Sequence, residues 1–309
     1  MPSPLPTPAP TLTLSPSPTP DPYSKYTIDY LRSRKYGGGQ VEIVEHAGQN
    51  SAFTRYLIRY PSDALTIAGF MDVPNGNGPF PVIIALHGYI DPSVYTTLDY
   101  TTRYADALAS AGYFVLHPNM RSFPPSDSGD DLFRVGMATD VLNLIAILKE
   151  TAGQPGPLQN ADPAHIGMWG HSMGGGITTR LITVSPDIKA AVLYSAVSGD
   201  EQKNSEMIGV WSSGERGNEE RAVPAGELPL ISPMYFYDKV QAAVSINHGL
   251  ADPLVPVQWS VDTCAQLKAL GKTVECHYYD GQPHTFTGQG DQEFMQNTLQ
   301  FFDRYLRIP

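Results

Sequence analysis

Apolar and polar positions change period several times along the chain, and each change marks an expected element. Segments 41–46, 55–60 and 65–73 read as early antiparallel strands. Residues 81–86 (PVIIAL) form a short unbroken apolar run, the pattern of a strand buried on both faces of a parallel sheet. A helical stretch at 101–111 then closes on Gly112, a residue suited to a helix C-terminus. Further strands are expected at 113–117, 165–169, 189–194, 242–247 and 274–279. Helices are expected at 134–150, from Ser172 to about residue 184, at 257–270 and at 292–306, and a long irregular region precedes residue 242. Strands alternating with helices predict a mainly parallel sheet covered on both faces. No internal repeat is found, so one domain over residues 23–309 is the economical reading.

Composition narrows the class. The chain has 309 residues, 41% hydrophobic and 17% charged, enough for a large buried core. The formal charge of −11 gives no electrostatic footprint for nucleic acid and disfavours polyphosphate substrates. No stretch approaches the ~18 consecutive apolar residues of a membrane span. Cys264 and Cys276 are too few for a disulfide scaffold and form no zinc-type CxxC pair, so no metal site is expected. If the protein is exported they can bridge, since eleven residues intervene; buried free thiols are the alternative.

Residues 1–22 differ from the rest. Nine are Pro and seven are Ser or Thr. Proline fixes φ and supplies no amide donor, so the segment should sample extended polyproline II, about 70 Å at most. It reads as a spacer between a cleaved export signal or a lipid or surface anchor and the folded body, which implies a secreted or surface-tethered protein. An inert tail is the other reading.

The strongest chemical signal is Gly170-His171-Ser172-Met173-Gly174, a G-x-S-x-G set between an apolar strand and a helix. A nucleophile on so sharp a turn is lifted above the sheet, and the flanking glycines leave room where a Cβ would collide. The helix N-terminus turns free N–H groups toward developing negative charge. Serine needs a base held by an acid, and here both should follow it in chain order, on loops after later strands. Asp252, on the Gly- and Pro-marked turn after strand 242–247, supplies the acid. His284, in the loop after the last strand, supplies the base. Among the other histidines, His46, His165 and His277 read as structural. His117 ends a strand and could line a cleft, but it precedes the serine. His171 should pack under the elbow and His248 should buttress the acid turn. His87-Gly88-Tyr89, directly after strand 81–86, is placed to offer the Tyr89 N–H as an oxyanion donor beside that of Met173, with the Tyr89 ring walling the acyl pocket.

These pieces in this order resemble the α/β-hydrolase fold from about residue 40 to the end. The fold so implied is α/β, with a mostly parallel eight-stranded sheet, helices on both faces and a lid-like insertion before the acid. Ser232-Pro233, the strand ending in His248-Gly249, and Ala251-Asp252-Pro253-Leu254-Val255-Pro256 resemble the catalytic domain of the prolyl oligopeptidase family and its dienelactone-hydrolase-like and feruloyl-esterase relatives. The elbow with Tyr89 also resembles bacterial cutinases and polyester hydrolases. The peptidases carry a β-propeller in front of the catalytic domain, and fewer than 60 residues stand between the Pro-rich segment and strand 81–86. Cutinases lack a long insertion before the acid. Here residues 198–230 form one, with seven acidic and three basic residues and the apolar cluster Met207-Ile208-Gly209-Val210-Trp211.

The expected activity is therefore hydrolysis of a carboxylic ester, small or polymer-borne, through an acyl-enzyme, with no cofactor or metal required. A peptidase acting on short peptides is the alternative, and a non-catalytic binding protein on this fold is a remoter one. The expected substrate contacts are Tyr89, Met207, Trp211, Val255 and Phe286. The insertion is read as a polar cap over the serine; a solvated surface loop anchored by Trp211 is the plainer reading.

Overall fold

The structure is a computed structural model that describes residues 21–307 together with Met1, so nearly all of the expected spacer lies outside the described residues. Nine strands form one sheet: β1 (Glu42–Gln49), β2 (Phe53–Ser62), β3 (Leu65–Pro74), β4 (Phe80–Leu86), β5 (Phe114–Pro118), β6 (Ala161–His171), β7 (Ile188–Tyr194), β8 (Ala243–Gly249) and β9 (Val274–Tyr279). Their order is β1-β2-β3-β5-β4-β6-β7-β8-β9. This corrects the expectation of eight strands. Strands β4 to β9 pair in parallel, whereas β1–β2, β2–β3 and β3–β5 are antiparallel, so the sheet is mixed.

The helices are α1 (Ile28–Ser33), α2 (Thr102–Ser110), α3 (Val135–Thr151), α4 (Met173–Val184), α5 (Glu201–Trp211), α6 (Asn218–Arg221), α7 (Leu228–Ile231), α8 (Val257–Ala269) and α9 (Gly288–Leu306). The unbroken apolar run of β4 is explained by burial on both faces. Val82, Ile84 and Leu86 pack with Val141, Ile177, Leu181 and Leu267 from α3, α4 and α8. Ile83 and Ala85 pack on the opposite face with Tyr104 and Leu108 of α2 and Phe294, Phe301 and Phe302 of α9. Each such side chain taken from water contributes roughly 1.5–3 kcal/mol.

Three local outcomes differ from the sequence pattern or complete it. Helix α1 had not been expected, although Thr27 supplies its N-cap by accepting from the Tyr30 N–H at 3.2 Å. Within the region expected to be irregular, α5 begins at the N-cap Asp200, whose carboxylate accepts from the Gln202 N–H at 3.0 Å. Cys264 and Cys276 are bridged, tying α8 to β9.

The parallel strands place the chemistry. Tyr89 follows the C-terminal end of β4, Ser172 that of β6, Asp252 that of β8 and His284 that of β9. In open parallel sheets this is the edge where loops converge on ligands.

Candidate active site

Ser172 sits between β6 and α4 with φ 55° and ψ −115°. A non-glycine residue seldom adopts positive φ, and here close packing of the turn holds it there. A Cβ at Gly170 would lie 2.3 Å from the Gly174 carbonyl oxygen, and one at Gly174 would lie 2.4 Å from the Leu86 carbonyl oxygen. Backbone thus passes backbone at distances that only glycine permits. The Ser172 N–H donates to the Tyr194 carbonyl at 2.9 Å, and its own carbonyl accepts from Gly176 at 3.1 Å and Val197 at 3.2 Å.

The Asp252 carboxylate is fully buried and carries four donors. Its Oδ1 accepts from the N–H groups of Leu254 at 2.8 Å and Val255 at 3.0 Å. Its Oδ2 accepts from His284 Nδ1 at 2.7 Å and lies 3.2 Å from His248 Nε2. Burial alone would raise its pKa, but hydrogen bonds from His248 and His284 and the backbone donors outweigh it and hold the carboxyl far below the usual range. His248 is completely buried. Its Nε2 faces the Val255 carbonyl as well as Asp252, so that nitrogen carries the proton, and Ser260 donates to Nδ1 at 2.7 Å. With Nδ1–H engaged by Asp252, His284 is left with Nε2 free to accept a proton. Among the described hydrogen bonds none joins Ser172 to His284. That leg is often long without a substrate.

Gly88 brings the turn after β4 against the serine: a Cβ there would lie 3.1 Å from Ser172 Cβ. Among the described residues neither the Tyr89 nor the Met173 N–H has an acceptor. A chain of hydrogen bonds connects this turn to the histidine loop. The Gly88 N–H donates to the Tyr100 hydroxyl at 2.8 Å, that hydroxyl donates to His171 Nδ1 at 2.8 Å, and His171 Nε2–H donates to the His284 carbonyl at 3.0 Å. The His171 ring lies 4.7 Å from that of His284. Burial, and next the charge of His284, push His171 down to about 3, so it stays neutral over most of the pH scale. Sequence reasoning missed Tyr100 and Tyr194. The latter accepts from the Phe286 N–H and packs against His171. Each is a tyrosine among 17, with nothing local to single it out.

His171 and His248 occupy the supporting places expected of them. His117 lines no cleft: it is buried, 2.7 Å from the Thr101 hydroxyl. Val255 and Phe286 are each only 1% exposed, Val255 engaged through its backbone at the acid turn and Phe286 packed among Tyr194, Tyr279 and Phe294. Neither offers surface to a substrate. Tyr89 and Trp211 are well exposed, and Met207 is partly so.

Residues 140–308, more than half of the chain, match the prolyl oligopeptidase family. The chain belongs to that family. No curated protein matches the sequence significantly. Among solved structures it is similar to the uncomplexed acylaminoacyl peptidase of Pyrococcus horikoshii, with 23% identity and a TM-score of 0.68 over 84% of this chain and 42% of that one. The chain therefore spans less than half of that peptidase. It is also similar to acetyl xylan esterases from Paenibacillus (19% identity, TM-score 0.65, 90% of this chain and 92% of that one) and Thermoanaerobacterium (17%, 0.64, 89% and 90%).

In this member of the prolyl oligopeptidase family the insertion before the acid is pinned to the core by buried charge. Arg180 of α4, 1% exposed, donates to Glu201 at 2.5 Å and to the Ile231 carbonyl at 2.8 Å. Arg134 pairs with Glu201 and, at 3.2 Å, with Glu220, which also accepts from the Phe133 N–H. Two further contacts reach the rim. The Trp211 indole N–H donates to the Leu254 carbonyl at 3.3 Å, beside the acid turn, and the Arg216 guanidinium lies 4.7 Å over the Tyr89 ring. The insertion thus touches loops on both sides of the elbow.

Proposed function

We propose that the chain is a carboxylic-ester hydrolase working through an acyl-enzyme. The observation that carries this reading is the Asp252–His284 pair on the same sheet edge as a positive-φ serine, with two N–H groups without acceptors at the elbow and the turn packed on it. Ser172 Oγ attacks the ester carbonyl carbon as its proton passes to His284 Nε2. Asp252 stabilises the imidazolium, and the Tyr89 and Met173 N–H groups hold the oxyanion, each donor worth ~3 kcal/mol in the transition state. Collapse expels the alcohol, which takes the proton from His284. Water then enters, gives a proton to His284 and releases the acid, and Ser172 recovers its proton.

Ester rather than amide bonds are supported by the exposed apolar side chains at the rim, Tyr89, Trp211 and Leu254, and by a fold that spans both acetyl xylan esterases nearly end to end. Family membership favours the second reading, a peptidase on short substrates. A p-nitrophenyl acyl ester series set against aminoacyl p-nitroanilides decides between them: esters turned over and anilides untouched are expected. Ser172→Ala should lower ester turnover by about 10⁴- to 10⁶-fold, and retention of full activity would remove Ser172 from its role. Export to an oxidising compartment is part of the proposal. The Cys264–Cys276 bridge supports it, since such bonds persist chiefly outside the cytosol.

A further inference from the structure

The insertion carries three basic residues, and two are engaged. Lys203 lies 3.8 Å from Asp262. Arg221 donates to the Ser205 carbonyl at 2.9 Å, the Arg216 carbonyl at 3.1 Å and the Asn218 side chain. Arg216 differs. Its backbone is held, the N–H donating to Ser212 Oγ at 2.9 Å, but among the described residues its guanidinium has no carboxylate or carbonyl partner. The neighbouring Glu215 and Glu219 are exposed and do not pair with it. The guanidinium rests instead on Tyr89, a ring that is 48% exposed and belongs to the residue after Gly88, which packs on Ser172. An exposed cation over an aromatic face gains about 0.5–1 kcal/mol, and all five guanidinium donors remain available. In a chain of net charge −11, an arginine held on the turn that packs against Ser172 and left without an acid is placed to read charge.

We propose that Arg216 is a specificity residue that receives a carboxylate borne by the substrate, so that the preferred esters combine an apolar body lying on Tyr89 and Trp211 with a free carboxylate. This deepens the esterase reading and rests on it. A bidentate guanidinium–carboxylate pair is the strong form of such contacts and should give about tenfold discrimination at low ionic strength, weakening as salt screens it.

The test measures kcat/KM ratios on the full chain with two substrate pairs matched in shape. Mono-p-nitrophenyl glutarate against p-nitrophenyl valerate places the carboxylate on the acyl side, and 4-acetoxybenzoate against 4-acetoxybenzamide places it on the alcohol side. The wild type should favour the anionic member of one pair by about tenfold. Arg216→Gln should abolish that ratio, Arg216→Glu should invert it, and Arg216→Lys should keep part of it. Ratios near one in both pairs, or a wild-type preference that Arg216→Glu leaves intact, would overturn the proposal. Turnover of the neutral esters, and its loss in Ser172→Ala, reads the esterase assignment separately, so that assignment can stand while this one fails.

Discussion

Helix α4 is gripped at its two ends by different physics. At its N-terminus the elbow is held by absence: without side chains at Gly170 and Gly174, the backbones of β6, α4 and the end of β4 close to within 3 Å of any Cβ that might intervene. Further along, Arg180 holds the insertion by buried charge, through Glu201 and beyond it Arg134 and Glu220. The first grip is steric and local, so it tolerates no substitution. The second is electrostatic and assembled from four distant segments, and it is costly to break in part yet replaceable as a whole.

The largest effect should come from the elbow. Gly174→Ala puts a methyl 2.4 Å from the Leu86 carbonyl oxygen and 2.6 Å from that of His87, both backbone. Esterase activity should fall at least 10³-fold, or soluble protein should be lost, as assayed by turnover and yield; a variant with near wild-type kinetics would show the turn to be looser than its geometry. Next, Glu201→Ala strands the buried Arg180 cation and should cost about 3–5 kcal/mol in denaturant unfolding. Replacing Arg180 and Glu201 together by Met should recover a large part of that loss. If the double variant is as unstable as the single one, the network is held by more than charge.

Reducing the Cys264–Cys276 bridge, a short loop at sequence separation 12, should cost about 2–3 kcal/mol without changing the elbow. The last effect concerns pH, and it is the smallest only when taken per pH unit. The folded His171 value of about 3 lies below the ordinary histidine value of 6.5, so between these limits the unfolded chain binds a proton that the folded chain does not. Stability must therefore fall as pH drops from about 6.5 toward 3, with about 1.4 kcal/mol per pH unit from this group. His117, also pushed down to about 3 by burial, adds a like slope. Asp252 acts lower: its contribution is full above the ordinary aspartate range and is lost progressively as pH falls through and below that range. His171→Gln should make the stability–pH slope between 4 and 6 shallower by about one proton, measured as chemical unfolding midpoints; an unchanged slope would mean that His171 titrates as a solvated histidine.

Much of the frame was legible because its signals are short-range. The apolar run of β4, the elbow glycines, and the Asp and His after the last two strands each announce themselves within a few residues. The errors came where burial rather than spacing decides. Phe286 follows His284 closely enough to look like a pocket residue, yet Tyr194 and Phe294 enclose it. The β2–β3 hairpin and β1 extend the sheet to nine strands through pairing along its edge. The insertion reads as irregular because the partners that order it, Arg134 just before α3 and Arg180 within α4, belong to stretches whose own patterns are apolar.

The linear chain on its own determined the alternation of strand and helix, the cramped turn carrying Ser172, and the placing of Asp252 and His284 after later strands, because side-chain volume and backbone freedom act between near neighbours. Only the folded molecule decided that Tyr100 and His171 link the Gly88 turn to the His284 loop, that four charges from separate segments clamp the insertion, and that Arg216 comes to rest on Tyr89. Those are contacts between residues from a dozen to more than a hundred positions apart in sequence, and they acquire an energy only once packing has removed the water between them.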